Sequence, residues 1–132
     1  MSEREKLNSL SGKIIDAAIK VHKSLGPGLV ESCYEACLAF ELMQQGLKVE
    51  RQKPLPVIYR EIKLDCGYRL DLFIDNLIIV EIKSVEKIVP IHKAQLLSYL
   101  KLTHCKLGLL INFNVELLKD GLVRVVNDFP DS

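Results

Sequence analysis

Two acidic residues and a lysine, Asp71, Glu81 and Lys83, are the residue types in this sequence best suited to chemistry on a phosphate. Two carboxylates that lie close together repel each other unless a cation neutralises them. Mg²⁺ is typically held by one or two carboxylates together with water and phosphate oxygens. A lysine beside such a pair can stabilise phosphoryl charge or hold an attacking water molecule. The three side chains therefore suit metal-assisted chemistry, provided that the fold brings them together.

Two strongly apolar segments, 68–74 and 78–85, are predicted to form the hairpin that positions these side chains. Side chains alternate between the two faces of a strand. If the numbers of paired residues sum to 152, one apolar row from each strand is buried on the same side of the hairpin. Those rows are Leu70, Leu72 and Ile74 in the first strand and Ile78, Val80 and Ile82 in the second. The same register places Asp71 opposite Glu81 on the other face, with Lys83 beside them.

The alternative interpretation is a solvated face on which Lys83 and Arg69 simply screen two acids. An odd pairing sum such as 151, which a two-residue turn at 75–76 would give, sets Asp71 opposite Val80 and disperses the site. The register of this hairpin therefore decides whether a metal site can form.

The rest of the chain predicts helices packed on a sheet. Apolar residues at helical spacing predict helices over 5–25, 30–45 and 91–103, and glycines follow the first two. Shorter alternating or apolar segments predict further strands at 47–51, 55–59, 62–64, 107–113 and 122–126.

Composition excludes several classes of protein. The chain has 132 residues, the size of one domain, and 48% hydrophobic residues, which excludes intrinsic disorder. No apolar run approaches the ~20 residues of a membrane span, and the charged residues at 1–6 do not form a secretory signal. We therefore expect a cytoplasmic protein that does not contact a membrane, with its four cysteines reduced. The net charge of +1 excludes a grip on duplex nucleic acid by bulk electrostatics.

The spacing of the three residues resembles the PD-(D/E)XK nuclease superfamily, with Asp71 followed after nine residues by Glu81-Ile82-Lys83. Upstream, Gly28, Glu31 and Tyr34 look like the motif that names the bacterial and archaeal GxxExxY proteins. The segments 91–100 and 108–114 resemble the next helix and strand of that group. One departure is Leu70, which stands where the superfamily has its nominal proline.

This resemblance implies a single restriction-endonuclease-like domain over residues 1–132, with a core at about 14–126. Its α/β fold would have a central mixed β-sheet flanked by α-helices.

The resemblance also implies roles for individual residues. Asp71, Glu81 and Glu31 would ligate Mg²⁺, or Mn²⁺ as a substitute, together with the backbone carbonyl of Ile82. Lys83 would orient or activate the hydrolytic water. Gln95 would contact the site from the following helix.

Three further residues are candidates for contact with substrate. Tyr34 lies one helical turn after Glu31, Tyr99 lies one turn after Gln95, and His92 lies near the same face as Gln95. A core tyrosine with a satisfied hydroxyl is the alternative for either tyrosine.

The resemblance implies a Mg²⁺-dependent phosphodiesterase acting on nucleic acid, with DNA as the expected substrate. A nuclease-fold module that binds nucleic acid or protein with weak or no catalysis is the alternative. Hydrolysis of a small phosphorylated molecule is a third possibility. We also expect a two-fold homodimer, because a domain of this size and charge has little surface with which to grip a duplex.

Overall fold

The computed structural model describes all 132 residues and contains three α-helices and seven strands. The helices are α1 (Glu3–Leu25), α2 (Glu31–Gln44) and α3 (Pro90–Thr103). The strands are β1 (Val49–Pro54), β2 (Val57–Tyr59), β3 (Ile62–Leu64), β4 (Arg69–Ile74), β5 (Ile78–Lys83), β6 (Leu107–Asn112) and β7 (Leu122–Val126). A short 3₁₀ helix, Leu118–Gly121, precedes β7.

The main sheet has five strands in the order β1-β4-β5-β6-β7. β5 and β6 are parallel, whereas the other neighbouring strands are antiparallel. α3 forms the crossover between the two parallel strands, which a tight turn cannot join. β2 and β3 pair only with each other and form a separate hairpin.

Helices cover both faces of the main sheet. α1 and α2 pack on one face, around a core of 20 buried residues that includes Ile14, Leu38 and Leu72. α3 packs on the opposite face, where Leu96 meets Ile79 in a smaller cluster. This arrangement confirms the predicted α/β fold with a mixed central sheet. None of the three helices combines the length and apolar character that a membrane crossing requires.

The hairpin of β4 and β5 has the predicted register. Ile74 pairs with Ile78 and Leu72 pairs with Val80, so the paired residue numbers sum to 152. Three residues, 75–77, connect the strands, and Leu77 N–H donates to the Ile74 carbonyl to close the turn. The even sum is confirmed, and the two-residue turn that would disperse the acids does not form.

The predicted apolar row of β4 does not stay on one face. Leu70 packs in the cluster under α3, whereas Leu72 and Ile74 pack under α1 and α2. The cause lies in β1, where Gln52 has a φ of +49° and the pairing with β4 skips Gln52 and Asp71. A left-handed residue interrupts the regular alternation of a strand.

The side chains of Glu50 and Lys53 show the same switch of face within β1. Lys53 Nζ lies 2.7 Å from Glu50 Oε2, although residues three apart in a regular strand point to opposite faces. Lys53 Nζ also lies 5.5 Å from the centroid of the Phe73 ring, and Lys53 pairs with Leu70 across the ladder. The prediction that Leu70 shares a face with Leu72 is therefore wrong, because the alternation breaks between them.

Candidate active site

The carboxylates of Asp71 and Glu81 lie together where β4 and β5 part. Regular pairing between the two strands extends as far as Leu72 and Val80. Beyond this pair, each acid accepts a hydrogen bond from the main chain of the other strand. Asp71 Oδ2 accepts from Ile82 N–H at 2.8 Å, and Glu81 Oε2 accepts from Asp71 N–H at 2.9 Å. These bonds fix both carboxylates on the backbone before any ligand binds.

Glu81 is a buried carboxyl with no full counter-charge. Its side chain is only 5% exposed. Burial, and after it the neighbouring charge on Asp71, raises the pKa of Glu81 to about 8. The hydrogen bond from Asp71 and the charge on Lys83 act in the opposite direction, but they offset only part of the rise. The site therefore resists holding both negative charges until a cation arrives.

Lys83 supplies positive charge beside the two acids. It follows Glu81 by two residues on β5 and is partly buried. Its charge lowers the pKa of Glu81, yet it makes no ion pair with any carboxylate within 4.0 Å. The ammonium group is therefore available to an incoming anion or to water.

Glu35 of α2 is a third acid near the site, and the sequence reasoning missed it. It is 6% exposed, and its Oε2 lies 3.2 Å from both Nε and Nη2 of Arg51. The amide nitrogen of Gln52 donates both to Glu35 and to Asp71 Oδ1, the latter at 3.1 Å. The same left-handed Gln52 that breaks the strand alternation thus connects the helix to the site.

A sequence signal for Glu35 did exist. It lies four residues after Glu31, one turn further along α2, so the two acids share a side of the helix. It is also flanked by the buried residues Tyr34 and Leu38, which marks it as an acid on an inward face.

Glu31, the helical acid predicted as a metal ligand, does not join Asp71 and Glu81. It is exposed, and its Oε2 accepts a hydrogen bond from Ser84 N–H at 3.3 Å. No three His, Cys, Asp or Glu side chains lie close enough to hold one ion together. Glu31 instead lies beside the residue that follows β5, one position past Lys83.

The backbone carbonyl of Ile82, another predicted ligand, is oriented towards the acids. In an extended strand the N–H and C=O of one residue point to the same neighbouring strand. Because Ile82 N–H donates to Asp71, the Ile82 carbonyl opens on the same side.

Two of the residues predicted to contact substrate have structural partners instead. Tyr34 is fully buried, and its ring stacks on Phe113 with centroids 4.5 Å apart. Its hydroxyl donates to the Gly26 carbonyl and accepts from Leu29 N–H, which favours the core alternative. His92 Nδ1 accepts from the N–H of residue 89 at the start of α3, so this nitrogen caps the helix.

Tyr99 and Gln95 approach the site from α3. Tyr99 is buried, and burial and then the charge on Glu81 raise the pKa of Tyr99 to about 12. The charge on Asp71 raises the pKa of Tyr99 as well, so both acids of the pair act on this hydroxyl. Gln95, one turn earlier, is partly buried and lines the same groove as Tyr99.

The donor set of the site fits a hard divalent cation. Asp71 and Glu81 provide adjacent carboxylate oxygens, and the raised pKa of Glu81 shows that no protein cation fully compensates the pair. Mg²⁺ needs only one or two carboxylates when water and phosphate oxygens complete its shell. The absence of a third acidic ligand is therefore compatible with Mg²⁺.

Fold and site together define an α/β domain whose central strands present a carboxylate pair and a lysine. The family model of the PD-(D/E)XK nuclease superfamily matches residues 8–125, and the chain belongs to this superfamily. Its domain is therefore nuclease-like, and nucleases of this superfamily generally use divalent metal ions. Comparison with curated proteins and with solved structures found no match.

Proposed function

We propose that the protein is a Mg²⁺-dependent phosphodiesterase that hydrolyses nucleic acid, with DNA as its substrate. The observation that carries the proposal is the pair Asp71 and Glu81, fixed by main-chain hydrogen bonds beside an unpaired Lys83. Two like charges placed side by side lower the stability of a sheet whose role is only structural.

In this mechanism Asp71 and Glu81 hold the ion, and the Ile82 carbonyl is a further ligand. A bound Mg²⁺ would lower the pKa of water and neutralise charge that builds on the phosphate. Lys83 holds the attacking water or stabilises the phosphoryl oxygens. Tyr99 keeps its proton at neutral pH, as any tyrosine does, and its raised pKa of about 12 extends this to alkaline pH. Its hydroxyl donates to a phosphate oxygen. Gln95 contacts the substrate from the same helix.

A nuclease assay on single-stranded, duplex and branched DNA, with RNA in parallel, tests the proposal. Wild-type protein should cleave DNA with Mg²⁺ or Mn²⁺ and not with EDTA. Asp71→Asn should lower the rate by about 1,000-fold or more, because the ion loses a ligand. Lys83→Ala should lower it by about 100-fold or more while metal binding persists.

Lys119→Ala is the matched control, since Lys119 is an exposed lysine in the 3₁₀ helix before β7. It should cleave at the wild-type rate. Cleavage that survives in Asp71→Asn at the wild-type rate would contradict the proposed mechanism, as would DNA that stays intact at every metal concentration.

A nuclease-fold binding module is the second candidate. The observation in its favour is that no third acid, Glu35 included, lies close enough to share an ion with Asp71 and Glu81, which leaves the ion fewer protein ligands. Metal-dependent binding of nucleic acid without any cleavage would select this alternative.

We further propose that the chain belongs to the GxxExxY group within the superfamily. Two of the motif residues support this through local structure. Gly28 has a φ of +100°, a conformation that favours glycine, and the Tyr34 hydroxyl spans the turn from Gly26 to Leu29. The motif would thus shape the connection between α1 and α2, which sets the position of Glu31.

A two-fold dimer is also part of the proposal. Its support is the small size of the domain and its net charge of +1, which leave one copy little surface for a duplex. Sedimentation at micromolar concentration should give twice the 14.9 kDa mass of one chain. A mass equal to one chain would exclude the dimer.

A further inference from the structure

A groove next to the carboxylate site runs between α3 and the start of β4. Its volume is about 400 Å³, and six of its eight lining residues are hydrophobic. Tyr68 and Val57 form one wall, and Ile91 and Tyr99 belong to the α3 wall. Pockets of this size accept a small ligand or one unit of a polymer.

Tyr99 is shared by the groove and the site. It lines the groove, and the charges of Glu81 and Asp71 both act on its hydroxyl. On the other wall, Tyr68 precedes Asp71 by three residues, which corresponds to ~10 Å along an extended chain. An occupant of the groove therefore lies within about one nucleotide of the two acids.

The groove exposes aromatic and apolar surface that the chain itself leaves uncovered. Tyr68 is 43% exposed, and its ring tilts by 59° against Tyr99 with centroids 5.8 Å apart. Ile91, on the α3 wall, is 69% exposed. A half-exposed tyrosine held by a buried one presents a rigid face on which a flat ring can stack.

The segments that form the walls of the groove have an excess of positive charge, although none of the eight lining residues is itself charged. The segments 57–69 and 90–103 contain five Lys or Arg residues and two acids, a net charge of +3 against +1 for the whole chain. α3 has two lysines and no acidic residue. An apolar peptide has no negative charge to pair with these cations. A nucleic-acid strand has both flat bases for the aromatic surface and phosphates for the cations.

We propose that this groove binds an unpaired base of single-stranded nucleic acid, which stacks on Tyr68 and delivers the adjoining phosphate to the carboxylate site. The inference rests on the proposed function, and it names single-stranded segments as the preferred substrate. Bases within a duplex are stacked on one another and do not offer their faces to a protein ring.

The test is binding of a fluorescent oligothymidine of about 12 nucleotides, a length within the usual site sizes of single-strand binders. Fluorescence anisotropy in EDTA and at low salt measures affinity without any hydrolysis. Wild-type protein should bind the single strand at least several-fold more tightly than a duplex of the same length. Tyr68→Ala should weaken single-strand binding by about 10-fold, whereas Tyr68→Phe should retain it.

Ile91→Glu gives a second, independent variant, and because Ile91 is exposed its replacement should leave the fold intact. A negative charge there should weaken binding as well. Phe40→Ala is the matched control, since Phe40 is an exposed aromatic residue on α2, across the sheet from the groove. It should bind like wild type, and circular dichroism should show that each variant is folded.

The inference is overturned if the wild-type protein does not bind the single strand, or if it binds the duplex with equal affinity. It is also overturned if the Tyr68→Ala and Ile91→Glu variants bind the single strand as tightly as the wild type. A second copy seated in the groove would also overturn it, and sedimentation would reveal this as a dimer that Tyr68→Ala dissociates. Failure of the proposed function looks different, because Tyr68-dependent binding would persist while no metal-dependent cleavage occurs.

Discussion

Each acid of the carboxylate pair uses one oxygen to replace a missing ladder bond between β4 and β5. Asp71 accepts from Ile82 N–H, and Glu81 accepts from Asp71 N–H. The positions of the two carboxylates are therefore fixed by hydrogen bonds to the main chain of the sheet. Changing either acid to alanine removes a main-chain partner as well as a charge.

The raised pKa of Glu81 predicts how pH affects the metal-free protein. Because the pKa of Glu81 is about 8 in the folded protein and near its ordinary value of 4.5 when unfolded, folding favours its protonated form. This contribution to stability is fully present below about pH 4.5 and is lost as pH rises through about 8. Glu81→Gln, which stays neutral, should therefore lose less stability than wild type over this range.

Urea unfolding in EDTA at several pH values measures this difference. The free energy of unfolding of Glu81→Gln should exceed that of wild type most at the alkaline end. Parallel pH profiles for the two proteins would mean that Glu81 ionises in the folded state as easily as in water.

The contacts of Glu35 predict that its replacement lowers stability more than the replacement of Glu41, another acid of α2. Glu35→Ala leaves Arg51 and the Gln52 amide without their buried partner, so it should cost about 1–3 kcal/mol of stability. Glu41→Ala removes a pair with Lys20, whose side chain is 72% exposed, and this should cost less than about 1 kcal/mol.

Chemical denaturation with and without Mg²⁺ checks both values and adds a functional readout. Glu35→Ala should also weaken metal-induced stabilisation, because Gln52 no longer braces Asp71. Equal losses of stability in the two variants would show that Glu35 is an ordinary surface acid.

At the scale of elements, the sequence predicted the fold and the hairpin register well. Alternating apolar residues in β4 and β5 can be buried together only with an even pairing sum, and turn length then selects 152. The site acids follow from that register. Their exchange of hydrogen bonds with the main chain does not, because it requires the strands to separate.

The two main misses share one cause. Leu70 changes face and Glu35 reaches the site because Gln52 has a left-handed backbone, a conformation that its residue type does not announce. The role of Glu31 as a metal ligand follows from the resemblance and stays a prediction, and the structure places this acid beside Ser84. Periodicity predicts which face a residue occupies, but it does not predict where the alternation breaks.

Replacing two glycines by alanine should change stability in opposite directions. A Cβ at Gly121 would clash with the carbonyl oxygen of Asn112 at the end of β6, so Gly121→Ala should lower stability by about 1–3 kcal/mol. A Cβ at Gly12, inside α1, would meet nothing within 4 Å, so Gly12→Ala should raise stability by about 0.5–1 kcal/mol.

Thermal unfolding of the two variants checks these signs. A Gly121→Ala protein as stable as wild type would mean that the 3₁₀ helix and β6 separate without cost. A destabilised Gly12→Ala protein would mean that α1 packs too tightly at residue 12 to accept a methyl group.

At the scale of the whole molecule, the charge distribution matters more than the total. The net charge of +1 cannot attract nucleic acid over a distance, but the segments 57–69 and 90–103, which form the groove, have a net charge of +3. Under the proposed function, these cations would attract phosphate locally while a bound ion neutralises Asp71 and Glu81.

The central claim is that Asp71 and Glu81 form a divalent-cation site, and thermal unfolding during a Mg²⁺ titration tests it most directly. A ligand that binds only the folded state raises the melting temperature by mass action. At a pH above 8, where Glu81 is ionised, saturating Mg²⁺ should raise the wild-type midpoint by about 5 °C or more. Asp71→Ala and Glu81→Gln should show no rise, and Asp16→Ala, an exposed acid of α1, should respond like wild type. A wild-type midpoint that stays constant with Mg²⁺ and Mn²⁺, or a rise that persists in Asp71→Ala, would contradict the claim.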